Sequence, residues 1–421
     1  MGTNVNTETI GAAPWMALPE TQAVIAALEA RGGPGCARFV GGCVRNTLIG
    51  KPIDDVDIAT VLTPDEVIQA LGAARLRSIP TGVDHGTVTA LSGGHPYEIT
   101  TLRRDVSTDG RRAVVAFTQD WSEDAQRRDF RFNALYADIQ GRIYDPTGEG
   151  IGDAREGRVV FVGDAETRIR EDYLRILRFF RFHAWYGRDE ADHDAQAACE
   201  ALKGGIETLA AERIQKEVLK LLAAEDPRPA LRLMAATGVL SAILPVVESL
   251  ARLEGLITIE SEQLFENDPE LRLAALIPGD PEVAEQVADD LRLSNAQKER
   301  LVQAVGQSPR LVSWMSPREI RRAVYALGPK AFSDRVKLAW AASDRSAATP
   351  QWRGLLALGE SWTPPAFPLT GDEVLKAGVP KGPLVGQVMR EVELWWIDQD
   401  FIEDRFSIIE RLKAVVQGMV F

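Results

Sequence analysis

The hydrophobic period of this chain changes once, and that change constrains its fold more than any other feature. Between residues 37 and 145, short β-branched runs alternate with turn signals and one or two amphipathic segments. The pattern predicts strands at 37–40, 56–60, 86–91, 97–102 and 133–139, with helices at 44–48 and 64–71. From about Glu166 the period becomes 3.6 and stays there: Ile169, Leu174, Leu177 and Phe180, then Ile214, Val218 and Leu221, then Leu231, Met234, Val239 and Leu244. A mixed α/β domain followed by an all-helical remainder is expected. Gly/Pro-rich breaks at 145–153, 226–229, 278–281 and 363–368 are the candidate joints.

Composition narrows the function classes. The 421 residues allow about three domains at ~150 residues each. Forty-eight basic against 61 acidic residues leave a net charge of −13, which argues against indiscriminate binding of nucleic-acid backbone over the whole surface. Arginines nevertheless cluster at 103–131 and 168–181, where any polyanion site is expected. Three cysteines (Cys36, Cys43, Cys199) and four histidines without zinc-ligand spacing speak against a disulfide framework or a zinc site. No apolar run nears the roughly 18 residues of a membrane helix, and the first twenty residues lack a secretory pattern. A cytoplasmic protein without membrane contact or obligatory protein partner is expected.

Five segments carry chemistry. Phe39-Val40-Gly41-Gly42-Cys43-Val44-Arg45 reads as strand, double-glycine turn and helix start, where backbone N–H groups can approach a phosphate and Arg45 adds a guanidinium. Asp55-Val56-Asp57 places two carboxylates at i and i+2, on one face of a strand, and parallel carboxylates repel unless a cation such as Mg²⁺ lies between them. Glu98, in the apolar strand pattern Tyr97-Glu98-Ile99-Thr100-Thr101, would be a third carboxylate on a neighbouring strand. Arg127-Arg128-Asp129-Phe130 offers cations for phosphates and an acceptor for a sugar hydroxyl. In Glu171-Asp172-Tyr173-Leu174-Arg175, read as one helix, Asp172 and Arg175 share a face and Glu171 reaches Arg175 at i+4. That face offers an acceptor beside a donor. Cytosine and adenine present a matching amino donor and ring-nitrogen acceptor, whereas guanine and uracil present the reverse.

Taken in order, GGCVR, DDVDIAT, TGVDHGTV, EITTLRRD, DGRR, RRDF with NAL, and RIREDYLRILRFFRF resemble the motif series of bacterial class II tRNA nucleotidyltransferases. That family includes CCA-adding enzymes and bacterial poly(A) polymerases. The resemblance runs over roughly residues 37 to 250, and the 378–386 segment also looks like the end of long CCA-adding enzymes. It implies a polymerase-β-like head at 1–145, then an elongated all-helical neck (146–224), body (225–290) and tail (291–421). Asp55 and Asp57 would hold two Mg²⁺ ions, with Glu98 assisting. Gly41, Gly42, Arg45 and Arg128 would bind triphosphate, Asp129 the ribose, and Glu171, Asp172 and Arg175 would select C or A. A mobile loop, Arg103 and Arg104 through Asp109, Gly110, Arg111 and Arg112, would help switch from C to A. The resemblance implies CTP and ATP as nucleotides and the acceptor and T arms of tRNA as partner. Arg213 and Glu217, at i and i+4, resemble a helix-stabilising pair. Lys376 and Lys381 are candidate RNA-backbone contacts, with a plain helix–turn–helix joint the favoured reading, and six tail tryptophans are expected to be core anchors.

Departures from the family pattern are Asn46, where Asp is usual, and Arg131 and Phe132, where Thr and Ile are usual. Arg131 could meet a phosphate or only solvent. His193-Asp194 is the sole HD and no His follows, so phosphohydrolase activity is not expected. The expected reaction is template-independent CCA addition to the tRNA 3′ end. A poly(A) polymerase, a CC- or A-adding partial enzyme, and a catalytically silent RNA-binding protein remain open at this point.

Overall fold

The computed structural model describes residues 8–11, 13–108, 113–188, 190–343, 348–401 and 404–418, with the backbone alone at 84, 105–108 and 113–115. It divides into two compact units, Met1–Pro245 and Val246–Phe421.

The first unit opens with helix α1 (Pro19–Gly32), followed by β1 (Ala37–Val40), α2 (Gly42–Leu48), β2 (Asp57–Thr60), α3 (Pro64–Ala73), β3 (Arg77–Gly82), β4 (Thr87–Ser92) and β5 (His95–Thr101). After these come β6 (Arg103–Thr108), β7 (Ala113–Phe117), α4 (Trp121–Gln126), β8 (Tyr136–Ala137) and β9 (Ile143–Tyr144). Seven strands form one mixed sheet in the order β3-β4-β5-β2-β1-β8-β9, while β6 and β7 pair as a separate ribbon. Only β2 and β5 run parallel, and their register sets Asp57 directly beside Glu98. Paired residues on adjacent strands project to the same face. The start of α3 is specified locally: Thr63 and Glu66 form a capping box and Pro64 opens the first turn. Helices α1 and α3 pack on each other and on the sheet. A second apolar cluster gathers Val40, Ala59, Leu102, Ala125, Tyr136 and Val162.

Helices α5 (Gly150–Glu156), α6 (Ala165–Glu171), α7 (Leu174–Tyr186), α8 (His193–Leu202), α9 (Ala211–Leu222), α10 (Arg228–Ala236) and α11 (Val239–Ile243) complete this unit. Aromatic rings dock α7 on the preceding segments: Phe182 meets Phe130 at 5.3 Å and Phe132 at 5.5 Å, and Phe179 meets Phe161 at 6.1 Å. Each such pair adds about 0.5–1.5 kcal/mol beyond its buried area. Phe132 therefore replaces the usual aliphatic residue with a core ring, 1% exposed.

Structure and periodicity agree on β1 residue for residue; β2 is shorter by Val56, and the strand expected at 133–139 shrinks to Tyr136–Ala137 after a 3₁₀ turn at Arg131–Asn133. Helix α1, strand β3 and the β6–β7 ribbon were not foreseen. The loop expected around 103–116 is that ribbon, with Asp109, Gly110, Arg111 and Arg112 outside the described residues.

The second unit is helical throughout its described residues, from Ala251–Gln263 to Arg405–Gln417. Its C-terminal end packs Val374, Val379, Val388, Val392, Trp396, Ile408 and Leu412 into one core. Among the described residues no helix is long and apolar enough to cross a membrane.

Candidate active site

Strand β1 ends in the double-glycine turn, where Gly41 has φ 72° and caps α2. A side chain there would be strained by the left-handed backbone. It would also stand 3.9 Å from Nη1 of Arg128, so that guanidinium overlooks the turn. Arg128 is fixed from behind: its Nη2 donates to Asp124 at 2.9 Å and its Nε to the Tyr136 hydroxyl at 3.2 Å. Its Nη1 has no hydrogen-bond partner among the described residues. Burial alone would raise the Asp124 carboxyl, but Arg128, Arg127 and the Tyr136 hydroxyl outweigh it and hold it at about 2. Asp124 was missed in the sequence, although its i, i+3 and i+4 spacing to Arg127 and Arg128 was a usable signal.

Asp57 begins β2 beside Glu98, whereas Asp55 is exposed on the loop before the strand. The expected pair of strand carboxylates at i and i+2 is thus one strand residue and one loop residue. Burial first, then the neighbouring charges of Glu98 and Asp55, push the Asp57 carboxyl up to about 6, opposed by Arg128. Hard oxygen donors crowded until they repel one another fit a divalent cation. Among the described residues no set of three or more His, Cys, Asp or Glu side chains is already closed around a metal position.

Two residues expected on the nucleotide are engaged elsewhere. Arg45 is 5% exposed; it donates to Asn46 Oδ1 at 2.8 and 3.1 Å, to the Tyr186 hydroxyl at 2.7 Å and to Asn133 Oδ1. Its guanidinium lies against the glycine turn, with Nη2 3.8 Å from where a Gly42 Cβ would stand, but it is held by these partners, and α7 brings Tyr186 over it at 4.0 Å. Asn46 supplies the oxygen that holds Arg45 and donates to Pro52 O, so this departure keeps a local role. Asp129 is 9% exposed and accepts from Phe130 N at 2.8 Å, Asn133 Nδ2 at 3.0 Å and Arg178 Nε at 2.7 Å, with Arg178 Nη2 as a fourth donor. A ribose hydroxyl would have to displace one of these. Burial would raise the Asp129 carboxyl, but Arg178 and Asn133 outweigh it and hold it at about 2.

The expected base-selecting helix is broken. Helix α6 ends at Glu171, Asp172 is extended at φ −157°, and α7 begins at Leu174. Asp172 Oδ1 accepts from the Leu174 N–H at 3.1 Å, a local bond that competes with helix continuation. Arg175 donates to Glu171 at 2.7 Å, to Arg168 O at 2.8 Å and to Arg127 O at 3.2 Å. Glu171 thus braces Arg175 as foreseen, while Asp172 and Arg175 flank a helix junction, where the Arg175 N–H donates to the Asp172 carbonyl at 3.0 Å.

Arg213 and Glu217 do not pair with each other. Arg213 Nη2 reaches Asp172 at 2.7 Å, and Glu217 takes Arg181 at 2.6 Å and Arg178 at 3.8 Å. One turn of α9 therefore braces both Asp172 and, through Arg178, Asp129. Arg131, whose role the sequence left open, is paired within the chain: its Nε lies 2.7 Å from the fully buried Asp153, and Glu149 is its second partner. Lys376 and Lys381 are exposed on either side of a turn whose Val374 and Val379 are buried, which is the joint geometry favoured above.

Chains of known activity resemble this one. The chain is 31% identical over 388 residues to the mitochondrial CCA tRNA nucleotidyltransferase 1 of Mus musculus, spanning 89% of this chain and 86% of that protein. It belongs to the CCA tRNA nucleotidyltransferase family. Residues 37–160 match the Poly A polymerase head domain, and residues 192–250 match the family described as a probable RNA and SrmB-binding site of polymerase A. A CCA-adding enzyme of Leuconostoc citreum is 45% identical over 188 residues, 44% of this chain and 45% of that one. Among solved structures, the Bacillus stearothermophilus CCA-adding enzyme in complex with CTP superposes with a TM-score of 0.76 at 25% identity, covering 96% of this chain and all of that one. The Thermotoga maritima CCA-adding enzyme complexed with tRNA shares the fold at a TM-score of 0.64 and 20% identity, covering 94% of each chain. Nucleotidyltransferases of this family use a divalent metal, which suits the carboxylates of β2 and β5.

Proposed function

We propose that this CCA tRNA nucleotidyltransferase adds C, C and A to the 3′ end of tRNA from CTP and ATP, releasing pyrophosphate at each step. The observation that carries the reading is the junction of Asp172 with the braced Arg175, beside the Arg127–Arg128 segment and the Asp57–Glu98 carboxylates.

Asp55 and Asp57 would hold Mg²⁺, with Glu98 beside them; Mg²⁺ at such a site supplies charge that lowers the pKa of an attacking hydroxyl and neutralises leaving pyrophosphate. Arg128, pinned by Asp124 and Tyr136, keeps Nη1 free for the triphosphate over the Gly41–Gly42 turn. Arg45 acts one step back, holding Asn133, which in turn donates to Asp129. Asp129 orients the sugar either by exchanging one of its donors for a ribose hydroxyl or through Asn133. Arg175 retains its Nε and one Nη2 hydrogen without a partner among the described residues, and among those residues each Asp172 carboxylate oxygen accepts one hydrogen bond. A donor beside an acceptor matches the edges of cytosine and adenine and leaves groups unpaired against guanine and uracil. Arg103 and Arg104, at the root of the ribbon, would carry the movement that changes selection from C to A. A cytoplasmic, reducing setting agrees with three buried free thiols.

The test incubates purified protein and Mg²⁺ with tRNA transcripts ending at the discriminator base, at C or at CC, with each labelled nucleotide alone and then CTP with ATP. Growth by three nucleotides followed by arrest is expected. Long A tails would select a poly(A) polymerase, CC or A alone a partial enzyme, and binding without incorporation a silent RNA-binding protein.

A further inference from the structure

The second unit holds a cavity of about 850 Å³ whose lining includes Arg252, Arg310, Arg335, Gln307, Trp314 and Trp352. Among the described residues it includes no Asp or Glu, although acidic residues outnumber basic ones 61 to 48 in the chain. Arg252 donates to the carbonyls of Ala274 and Ala275 at 3.0 Å and to that of Ile277. Arg335 donates to the carbonyls of Ser308 and Pro309, each at 2.7 Å. Neither has a carboxylate partner among the described residues, and burial lowers the pKa of both with no acidic group opposing it. Among the described residues, two positive charges are thus held by neutral carbonyls, with no carboxylate beside them.

Arg310 is exposed and makes no hydrogen bond or ion pair among the described residues. Four positions on, Trp314 is 78% exposed, while Trp340, Trp352 and Trp396 are buried as core anchors. Cations without a carboxylate partner among the described residues and an open aromatic face around one cavity fit a ligand that is planar at one end and anionic at the other. A free nucleotide site would bury most of its ligand. With its stacking face largely in solvent, this cavity better suits a nucleotide whose chain continues beyond it.

We infer that this cavity takes one unpaired nucleotide of the tRNA, its base stacked on Trp314 and its phosphate at Arg310, facing the charges of Arg252 and Arg335. This rests on tRNA being the substrate, and it adds a recognition point outside the nucleotidyl site. Arg310 and Trp314 are exposed, so their replacement leaves the fold intact.

The experiment measures binding of a CCA-less tRNA transcript in EDTA, without catalysis, and steady-state CCA addition, for wild type, W314A, W314F, R310A and R310E. W314A should raise Kd and KM for tRNA by about tenfold, the loss expected for one stacked base, with kcat unchanged, and W314F should restore most of it. R310A should reduce the dependence of log K on log salt by about one. An acceptor-stem hairpin closed by a short loop should bind all variants alike, and millimolar AMP or CMP should not quench Trp314 emission, judged against W314F. Unchanged tRNA affinity in W314A and R310E while wild type adds CCA would overturn this site alone. Quenching by AMP or CMP with unchanged tRNA affinity would overturn it in favour of a free-nucleotide site. Wild type that binds tRNA but adds nothing would sink the catalytic reading while the variants still report on the cavity.

Discussion

Asp57 and Asp129 are both aspartates enclosed by the first unit, and their surroundings drive them in opposite directions. Asp57 stands beside Glu98 and near Asp55, and burial and those charges push its carboxyl up to about 6. Asp129 receives four donors, and Arg178 holds it at about 2. One site is left electrostatically incomplete and the other is completed from within the chain. Repulsion around Asp57 favours a cation there, whereas the donors around Asp129 hold that carboxylate in place.

The comparison breaks most sharply at Asp57. D57N should reduce nucleotide incorporation by about 10³-fold or more, the several kcal/mol of charge stabilisation lost with a metal ligand. The same change removes a repelled charge, so Tm at pH 7.5 should rise, and 10 mM Mg²⁺ should raise Tm of wild type but not of D57N. A D57N protein that is both active and less stable would reverse the assignment.

At Asp129 the effect should be on stability. R178M leaves its buried carboxylate without its cation and should cost about 3–5 kcal/mol. Thermal unfolding should show a fall in Tm on the order of 10 °C. An unchanged Tm would mean that Asn133 and the Phe130 N–H suffice.

The two sites also differ in pH dependence. An unperturbed Asp titrates near about 3.9. Asp129, depressed when folded, contributes stability that is complete above that value and lost as pH falls toward about 2. Asp57, raised when folded, disfavours the folded state at neutral pH, and the penalty is relieved as pH falls through about 6. The Tm difference between D57N and wild type should therefore be clear at pH 7.5 and small at pH 4.

The smallest effect is expected at Arg213, whose contact with Asp172 is partly open to solvent. R213A should shift Tm little, since a half-exposed ion pair contributes about 0–1 kcal/mol. By loosening Asp172 it should raise misincorporation of UTP or GTP by about fivefold, read on tRNA ending at the discriminator base. Unchanged fidelity would make that contact purely structural.

The local patterns were legible. Strand β1 followed by the double glycine, Asp57 and Glu98 on β-branched strands, and Glu171 reaching Arg175 at i+4 all depend on neighbours a few positions apart, where side-chain period sets direction. The helix spacing failed at Asp172, because a side-chain bond to the Leu174 N–H competes with the helix and no propensity separates the two outcomes. It failed again at Arg213 and Glu217, which suit an intrahelical pair but find Asp172, Arg178 and Arg181 on other elements.

By itself, then, the sequence determined the change from mixed sheet to helices, the glycine turn, the carboxylates that gather at β2 and β5, and the donor and acceptor that Arg175 and Asp172 offer. Only tertiary structure decided that Arg45 is enclosed by Asn46, Asn133 and Tyr186, that Arg131 belongs to Asp153, and that α9 braces both Asp129 and Asp172. Tertiary structure also left Trp314 open while burying Trp340, Trp352 and Trp396. Period and spacing specify which way a side chain points along its own element, but a charge is neutralised by whichever partner packing brings within reach, and Arg45 and Tyr186 lie 141 positions apart in the chain.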